Sequence, residues 1–283
     1  NGFVDDVHGW DFSSNSNNSR DDHNHGTHVS GTIGAVGNNG VGIVGVSWDV
    51  SLLAVKFLDA NGSGTLQGAV ESINYARLMK ANIMSNSWGG GGFSDILKQA
   101  IEATRDAGIV FVAAAGNDSN NNDRSPTYPA TYDIENIISV AATDNQDKIA
   151  SFSNFGKSNV HVAAPCVHVY SSIRDGKYAF YNGTSMATPH VSGVAALMLA
   201  DNQDLAYKDV KERLVHTSRP VSSLKNRVTS KGVVNAYGAV HNIVPPSDDP
   251  DDSLWKDVAH TIESQHPYSS NQNLTFTVEH TGA

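Results

Sequence analysis

The sequence predicts an α/β fold with three layers, in which a mostly parallel, twisted sheet carries helices on both faces. Short, nearly continuous apolar segments at 51–58, 108–117 and 134–143 are typical of buried strands. They alternate with amphipathic segments of helical period at 66–80 and 94–108. This alternation indicates parallel strands joined by crossover helices. In such folds, functional residues gather where strands end at their carboxyl side.

Local signals set the ends of the helices. The second predicted helix has Ser94 or Asp95 as its N-cap, and Gly108 ends it. A longer helix of small residues is predicted at 186–200. Pro189 falls near its first turn, where a missing N–H is tolerated.

The charge of the chain argues against two classes of partner. The 283 residues contain 19 Lys and Arg against 29 Asp and Glu, a formal net charge of −10. We therefore expect neither nucleic acid nor an anionic membrane as the main partner. No apolar segment reaches the roughly 20 residues of a membrane span. A soluble acidic surface and loading with calcium explain the negative charge equally well.

The chain is expected to divide into three regions. We predict a main domain at 1–243, a Pro- and Asp-rich linker at 244–253, and the start of a β-rich module at 254–283. The opening NGFVDD carries no signal peptide and reads as the continuation of a longer chain. Cys166 is the single cysteine, which excludes an internal disulfide but does not decide the compartment.

Three short segments hold the candidate catalytic residues: HGTHVSG around His25, AAAGND around Asn117 and YNGTSMATPHVSG around Ser185. A serine at the start of a buried helix has its hydroxyl in a cleft and the helix dipole behind it. An ordinary N-cap serine explains that segment equally well when it is taken alone. His25 and His28 share one helical face, as metal ligands do, but no third ligand accompanies them.

Taken together, these segments closely resemble the subtilases, the subtilisin-like serine proteases. HGTHVSGT is similar to the family's catalytic-histidine motif, NGTSMATPHVSG to its nucleophile motif and AAAGN to its oxyanion motif. SNSWGG, SLLAVKFLDANGSG, YPATYD, SFSNFG and VHVAAP match further signatures in the family's order. The resemblance runs from about residue 3 to residue 243 and implies a serine endopeptidase.

The resemblance implies a role for each of the candidate residues. Ser185 attacks the scissile carbonyl, and His25 takes its proton and later hands it to the leaving amine. The Asn117 amide and the Ser185 backbone N–H stabilise the developing oxyanion. His28 packs behind His25, and His23 is a solvated loop residue.

The resemblance also implies that the substrate binds as an added β-strand between two edges of the protein. A pocket of small residues next to Asn117 is expected to accept a large apolar or aromatic side chain, and Asp118 to tolerate a basic one. Asp21 and Asp22 either line the pocket for the preceding substrate residue or lie on the surface. The residues implied in substrate binding are Gly62, Ser63, Gly64, Ser87, Trp88, Gly89, Gly90, Ala114, Ala115 and Gly116.

The segment GNNGVGI resembles the family's calcium-binding loop. The implied ligands are the Asn39 side chain and the carbonyls of Gly37, Val41 and Ile43, which are hard oxygens suited to Ca²⁺. Further ligands are expected from upstream sequence. The acidic segment that follows residue 4 is either a second source of calcium ligands, through Asp5 or Asp6, or a solvated loop.

Four further expectations rest on the resemblance. The partners are protein or peptide substrates, a propeptide that assists folding, and the N-terminal remainder of the same protein. The enzyme is expected to be secreted. The Tyr128–Pro129 peptide is expected to be cis. Cys166 replaces the family's usual glycine and is expected to be a small buried side chain.

One member of the family's pattern is missing from the sequence. The triad aspartate ends an early apolar strand, and no such segment occurs here; Asp5, Asp6, Asp11 and Asp49 are unconvincing substitutes. We therefore expect this aspartate on a strand upstream of the present chain. The alternatives are a fragment cut for convenience and a catalytically inactive scaffold that binds peptides. An α/β-hydrolase esterase is excluded because Ser185 lies in GTSMA and not in G-x-S-x-G.

Overall fold

The computed structural model describes residues 2–245. Its helices are α1 (His25–Gly34), α2 (Leu66–Leu78), α3 (Asp95–Asp106), α4 (Thr184–Asp201), α5 (Tyr207–His216) and α6 (Ala236–His241). Its strands are β1 (Gly9–Asp11), β2 (Ala54–Lys56), β3 (Ile83–Asn86), β4 (Val110–Ala114), β5 (Ile137–Thr143), β6 (Val162–Pro165), β7 (Val169–Ile173), β8 (Lys177–Tyr181), β9 (Arg219–Pro220) and β10 (Gly232–Val233).

The central sheet has the strand order β3-β4-β5-β6-β10-β9. Its strands are parallel except for β9, which runs antiparallel to β10. Every residue of β4 and β5 is buried, because helices cover both faces of the sheet. The continuous apolar segments of the sequence are therefore the central strands, as predicted.

Two hydrophobic cores lie on opposite faces of this sheet. α4 packs with α1 over one face, and the core there includes Val112, Val140 and Met186. α2 and α3 cover the other face around Phe111. α3 begins as expected, with the Ser94 side chain accepting a hydrogen bond from the Leu97 N–H. The three-layer α/β prediction is confirmed.

The first two strands do not join the central sheet. β1 and β2 form a separate two-stranded parallel sheet. Of the strand predicted at 51–58, only Ala54–Lys56 belongs to this sheet, and Leu58 forms an isolated antiparallel bridge with Gly64. One crossover helix, α2, connects β2 to β3, and Phe57 contacts Trp88 with ring centroids 5.0 Å apart just beyond the two strands. Within residues 2–245, β2 and β3 each keep one edge without a strand partner.

The hairpin β7–β8 lies between β6 and α4 in sequence and was not predicted. Its alternation of polar and aromatic residues is too short to separate from a loop by pattern alone. The hairpin packs against α1, and its second strand ends four residues before Ser185. It therefore packs against the helix that begins at His25 and leads along the chain to Ser185.

The predicted linker beyond residue 245 and the predicted β-rich module at 254–283 lie outside the described residues. Among residues 2–245, no helix combines the length and the apolar character needed to cross a bilayer.

Candidate active site

Ser185 is the second residue of α4. Its hydroxyl Oγ donates a hydrogen bond to the Ser87 carbonyl at 3.2 Å. Its backbone N–H lies in the first helical turn, where N–H groups have no partner within the helix, and it has no acceptor among the described residues. Ser185 thus presents a hydroxyl and a free amide donor side by side at a helix N-terminus.

Asn117 follows β4 and faces the same helix N-terminus. Its Oδ1 accepts from the Thr184 N–H at 2.8 Å and from the Thr184 hydroxyl at 3.0 Å. Because a backbone N–H can only donate, these bonds fix the orientation of the amide and leave Nδ2 as a donor without a partner in the described chain. Asn117 therefore offers a fixed donor next to the Ser185 N–H.

The two free donors converge beside Gly183, whose φ is +151°. A Cβ placed on Gly183 would lie 3.7 Å from Ser185 N and 3.8 Å from Asn117 Nδ2. A small oxygen-bearing group entering this space meets both donors. The arrangement is suited to an oxyanion. Thr184, which fixes the amide, was not singled out from the sequence, although it lies inside the GTSMA segment.

His25 is the first residue of α1 and is half-buried. Burial lowers its pKa, nearby His23 and His28 lower it further, and the Asp21 carboxylate acts in the opposite direction. Its ring forms no hydrogen bond with Ser185 or with any carboxylate of residues 2–245. α1 packs on α4, with His25 as the first residue of α1 and Ser185 as the second residue of α4.

His28 is fully buried and stacks on Tyr181, with ring centroids 4.4 Å apart. Its Nε2 lies 3.0 Å from the Val169 carbonyl and 3.1 Å from the Ala179 carbonyl, so Nε2 carries the proton. Burial lowers its pKa. No group of three metal-ligating side chains occurs among the described residues, and the environment of His28 is that of a packing residue.

The aspartates near His25 are engaged elsewhere. Asp21 accepts from the N–H groups of His23, Asn24 and Thr27 and from the Thr27 hydroxyl, which makes it the cap of α1. Asp11 and Asp22 both bind Lys56 Nζ, at 3.1 and 3.3 Å. Asp21 is thus a structural cap, and Asp22 is half of an ion pair.

The first predicted substrate edge begins where β3 ends. The Ser87 side chain is buried and bonds to Ser185. A Cβ on Gly89 would approach the Tyr128 carbonyl to 3.3 Å, and Gly90 has a φ of +136° and donates to the same carbonyl at 3.1 Å. The positive φ favours glycine at Gly90, and the nearby Tyr128 carbonyl leaves little room for a side chain at Gly89.

The second predicted edge forms a tight turn of its own. The N–H of Gly62 and the N–H of Ser63 bond to Asp59, and Gly64 pairs with Leu58. A Cβ on Gly62 would lie 3.7 Å from Nε2 of His23. His23 therefore stands between His25, whose ring centroid is 6.4 Å away, and this edge.

The residues predicted to line the pocket next to Asn117 lie at the end of β4. Ala114 and Ala115 are buried, and Gly116 has a φ of +112°. The methyl group of Thr127 comes within 3.3 Å of a Cβ placed on Gly116 and within 3.9 Å of one placed on Gly89. Thr127 therefore stands between the two walls, a position that the sequence reading did not identify.

Asn154 connects the segments that follow β4 by hydrogen bonds, and the sequence analysis did not identify it. Its Oδ1 accepts from the N–H groups of Asp118 and Asn120, and its Nδ2 donates to the Ala115 carbonyl and to Thr127. The SFSNFG segment was the available signal.

The expected calcium loop lies at the surface, and all of its predicted ligand atoms are oxygens. The Asn39 Oδ1 accepts from the Val41 N–H at 3.0 Å and keeps a second lone pair. The carbonyls of Gly37, Val41 and Ile43 accept no backbone hydrogen bond within residues 2–245. These are hard, neutral oxygens that fit Ca²⁺ in kind, but four of them fall short of the six to eight that the ion takes.

Two smaller expectations can also be compared with the structure. The Tyr128–Pro129 peptide is cis, as expected. Cys166 is buried, and burial raises the pKa of its thiol to about 12. The thiol is therefore protonated at neutral pH and is a packing group rather than a nucleophile.

Comparison with known proteins agrees with this geometry. The model of the subtilase family matches residues 1–240. The chain is 42% identical to thermitase of Thermoactinomyces vulgaris over 83% of its length and 81% of thermitase. It is 39% identical to subtilisin-like protease 2 of Plasmodium falciparum, over 79% of the chain but only 17% of that longer protein.

A comparison with solved structures finds the same family by its fold. The crystal structure of a cold-adapted subtilisin-like serine proteinase superimposes with a TM-score of 0.69 at 34% identity. The match covers 80% of this chain and 78% of that one. The family match over most of the chain and these relatives show that the chain belongs to the subtilase family.

Proposed function

We propose that the protein is a serine endopeptidase that cleaves peptide bonds of proteins through an acyl-enzyme, with Ser185 as nucleophile. The observation that carries the proposal is the pair of unpartnered donors, Asn117 Nδ2 and Ser185 N, fixed by Thr184 at the N-terminus of α4. A serine that only packs in the core or caps a helix does not need two unpartnered donors beside it. A tetrahedral oxyanion does.

The proposed reaction assigns each proton to a named atom. Neutral His25 accepts the proton of Ser185 Oγ as that oxygen attacks the scissile carbonyl. The carbonyl oxygen becomes an oxyanion held by Asn117 Nδ2 and Ser185 N. His25 then gives its proton to the leaving amine, and water repeats the sequence on the ester to release the acid. The lowered pKa of His25 supports this role because it favours the neutral imidazole, the form that accepts a proton.

The third member of the triad is proposed to come from a strand outside residues 2–245. The free edges of β2 and β3, which share the crossover helix α2, support this proposal. A parallel strand between them would end at the same side as Ser87, close to the two catalytic helices. Its carboxylate would orient His25 and stabilise the imidazolium.

Hydrogen exchange tests the source of this strand. In the full-length natural protein, the edge amides of Ile83–Asn86 should be protected from exchange, as amides paired in a sheet are. If the amides of that edge exchanged as fast as those of an unfolded peptide, the result would contradict the proposed strand.

The proposed substrate mode is an added strand that lies between Ser87–Gly90 and Gly62–Gly64. The side chain before the scissile bond would enter the pocket formed by Ala114, Ala115 and Gly116, and its size would be limited by the Thr127 methyl group. We also propose that the enzyme acts outside the cell and folds with the aid of a propeptide, as the family resemblance implies.

Calcium binding at residues 37–43 is proposed as a structural feature. The Asn39 amide oxygen and the carbonyls of Gly37, Val41 and Ile43 would supply part of the coordination shell, and other parts of the protein the rest. A melting midpoint that does not change when a chelator is added would remove this site.

A catalytically inactive peptide-binding scaffold is the second candidate. It is supported by one observation: the Ser185 hydroxyl bonds to the Ser87 carbonyl, and His25 has no hydrogen bond to it or to a carboxylate within residues 2–245. The endopeptidase is favoured because a scaffold has no use for the unpartnered donor pair.

Hydrolysis of an internally quenched peptide tests the two functions. The full-length natural protein should cleave the peptide at an internal bond, and Ser185→Ala should abolish cleavage. Ser151→Ala, which alters an exposed serine, is the matched control. Binding of the peptide without cleavage by the wild-type protein would establish the scaffold instead.

A further inference from the structure

The tip of the β7–β8 hairpin reaches the loop that precedes His25. Arg174 follows β7 directly, and its guanidinium Nη1 donates to the Asp22 carbonyl at 2.6 Å. Its backbone N–H donates to Asn24 Oδ1 at 3.3 Å. A single residue of the hairpin thus holds two acceptors that lie one and three positions before His25.

The backbone at Asn24 explains why this loop needs an external support. Asn24 is in the left-handed region, with a φ of +88°, at the N-cap of α1, yet its side chain makes no capping bond to the helix. Asp21 caps the helix from farther upstream. The Asn24 side chain is instead used to bind the Arg174 backbone, so the direction in which the chain enters α1 is set by the hairpin.

The rest of the hairpin is fixed to the same helix. The hydroxyls of Ser171 and Ser172 donate to the carbonyls of His28 and Thr27, at 2.8 and 3.2 Å. A Cβ on Gly31 would lie 2.3 Å from Ser172 Oγ, so α1 approaches β7 as closely as glycine allows. The hairpin is therefore a rigid support for the first turns of α1.

The other strand of the hairpin leads to the nucleophile. β8 ends at Tyr181, and α4 begins three residues later with Thr184. His25 and Ser185 come from distant parts of the sequence, and their mutual position decides whether a proton can pass between them. The hairpin contacts α1 and leads along the chain to Ser185.

We propose that Arg174 is a positioning residue for His25: through Asp22 and Asn24 it fixes the approach of the histidine to the Ser185 hydroxyl. The inference rests on the proposed peptidase function. An error of about 1 Å in the placement of a catalytic group costs on the order of 10²-fold in rate. Loss of the guanidinium is accordingly expected to slow the chemical step by about 10- to 100-fold.

The test compares Arg174→Met with Arg174→Lys in the full-length protein. Methionine keeps the apolar stem and removes the donors, whereas lysine restores one donor for the Asp22 carbonyl. Arg20→Met is the matched control because Arg20 is exposed and its one ion pair within residues 2–245 is a long one, 3.7 Å, to the exposed Asp175. We expect kcat to fall for Arg174→Met with KM within about twofold, Arg174→Lys to recover most of the loss, and Arg20→Met to behave as wild type.

The pH dependence separates positioning from a general loss of stability. Burial lowers the pKa of His25, so a loosened and better hydrated His25 should have a higher pKa. The acidic limb of kcat/KM should then move to higher pH in Arg174→Met. Asn24→Gly, which keeps the left-handed backbone and removes Oδ1, should move it in the same direction if Arg174→Met does not fold.

Three outcomes overturn the inference: Arg174→Met equal to Arg20→Met, no recovery with lysine, or a raised KM with unchanged kcat. Titration of the His25 ring by NMR separates this inference from the proposed function. If the wild-type protein has no peptidase activity, the function is wrong. An unchanged His25 titration in Arg174→Met and Asn24→Gly would then also reject the positioning role.

Discussion

Ser87 and Ser185 hold each other by two hydrogen bonds: Ser87 Oγ donates to the Ser185 carbonyl at 2.9 Å, and Ser185 Oγ donates to the Ser87 carbonyl at 3.2 Å. The first bond has a clear cause. In a helix, the Ser185 carbonyl would accept from the N–H four residues later, but that residue is Pro189, which has none. The Ser87 hydroxyl replaces the missing donor and joins the end of β3 to the start of α4.

Ser87→Ala should destabilise the protein, because it leaves the partly buried Ser185 carbonyl without its donor. The expected loss is about 1–3 kcal/mol in the free energy of unfolding. Urea unfolding measures it, with Ser151→Ala as the control for an exposed serine. Equal midpoints for the two variants would show that water replaces the Ser87 hydroxyl at no cost.

Asn117→Ala should lower kcat and leave KM nearly unchanged, since the Nδ2 donor acts on charge that develops only in the transition state. The loss measured for the corresponding amide of subtilisin is about 10²–10³-fold, and we expect the same order. Asn117→Asp keeps an acceptor for Thr184 but places a negative charge next to the oxyanion. Its kcat should therefore be no higher than that of Asn117→Ala. Asn145→Asp, in an exposed loop, controls for the added charge. Full activity of Asn117→Asp would contradict the oxyanion role.

His23→Gln should move the acidic limb of kcat/KM to higher pH. The charge of His23 lowers the pKa of His25, and burial has the larger effect in the same direction. The described residues thus hold the pKa of His25 below the ordinary histidine value of 6.5. Without His23 this pKa rises, and a higher pH is needed to keep the base neutral. His216→Gln, on an exposed surface, should leave the profile unchanged, and a shift to lower pH in His23→Gln would contradict the assignment.

How far the sequence predicted the structure depended on the kind of signal. β4 and β5 were predictable because burial on both faces demands an apolar run. α3 was predictable because Ser94 and Gly108 mark its ends. The separation of β2 from the sheet that begins with β3 was not predictable. The composition of a strand indicates that it is buried, but it does not indicate which other strand it pairs with.

The candidate site divides in the same way. His25, Asn117 and Ser185 could be proposed as site residues because each lies in a contiguous motif. Thr127 and Arg174 could not, because their importance arises from contacts across the fold that leave no local pattern. Asp21 was considered as a pocket residue, and its role as the cap of α1 became clear only from the four bonds that it accepts.

The protein should lose stability progressively as the pH falls below about 6.5, partly through His161. Burial lowers the pKa of His161 to about 3, and its Nδ1 accepts from the Ser139 N–H at 2.9 Å. The unfolded chain takes up a proton near pH 6.5, but the folded protein does not until about pH 3. Between these values each pH unit costs about 1.4 kcal/mol through this residue.

His161→Asn should reduce this dependence. Its Oδ1 can accept from the Ser139 N–H in the place of Nδ1, and the amide does not titrate. The melting midpoint between pH 7 and pH 4 should therefore fall less in the variant than in the wild-type protein, while the exposed variant His8→Asn should follow the wild-type protein. Parallel curves for all three would show that other groups control acid unfolding.

Labelling with a fluorophosphonate probe tests the central claim most directly, because the probe reacts with a serine only when a base and an oxyanion site activate it. Mass spectrometry of the full-length natural protein should find the adduct on Ser185. Labelling should disappear in His25→Ala and persist in His28→Ala if that variant folds. An unlabelled wild-type protein, or undiminished labelling of Ser185 in His25→Ala, would contradict the account.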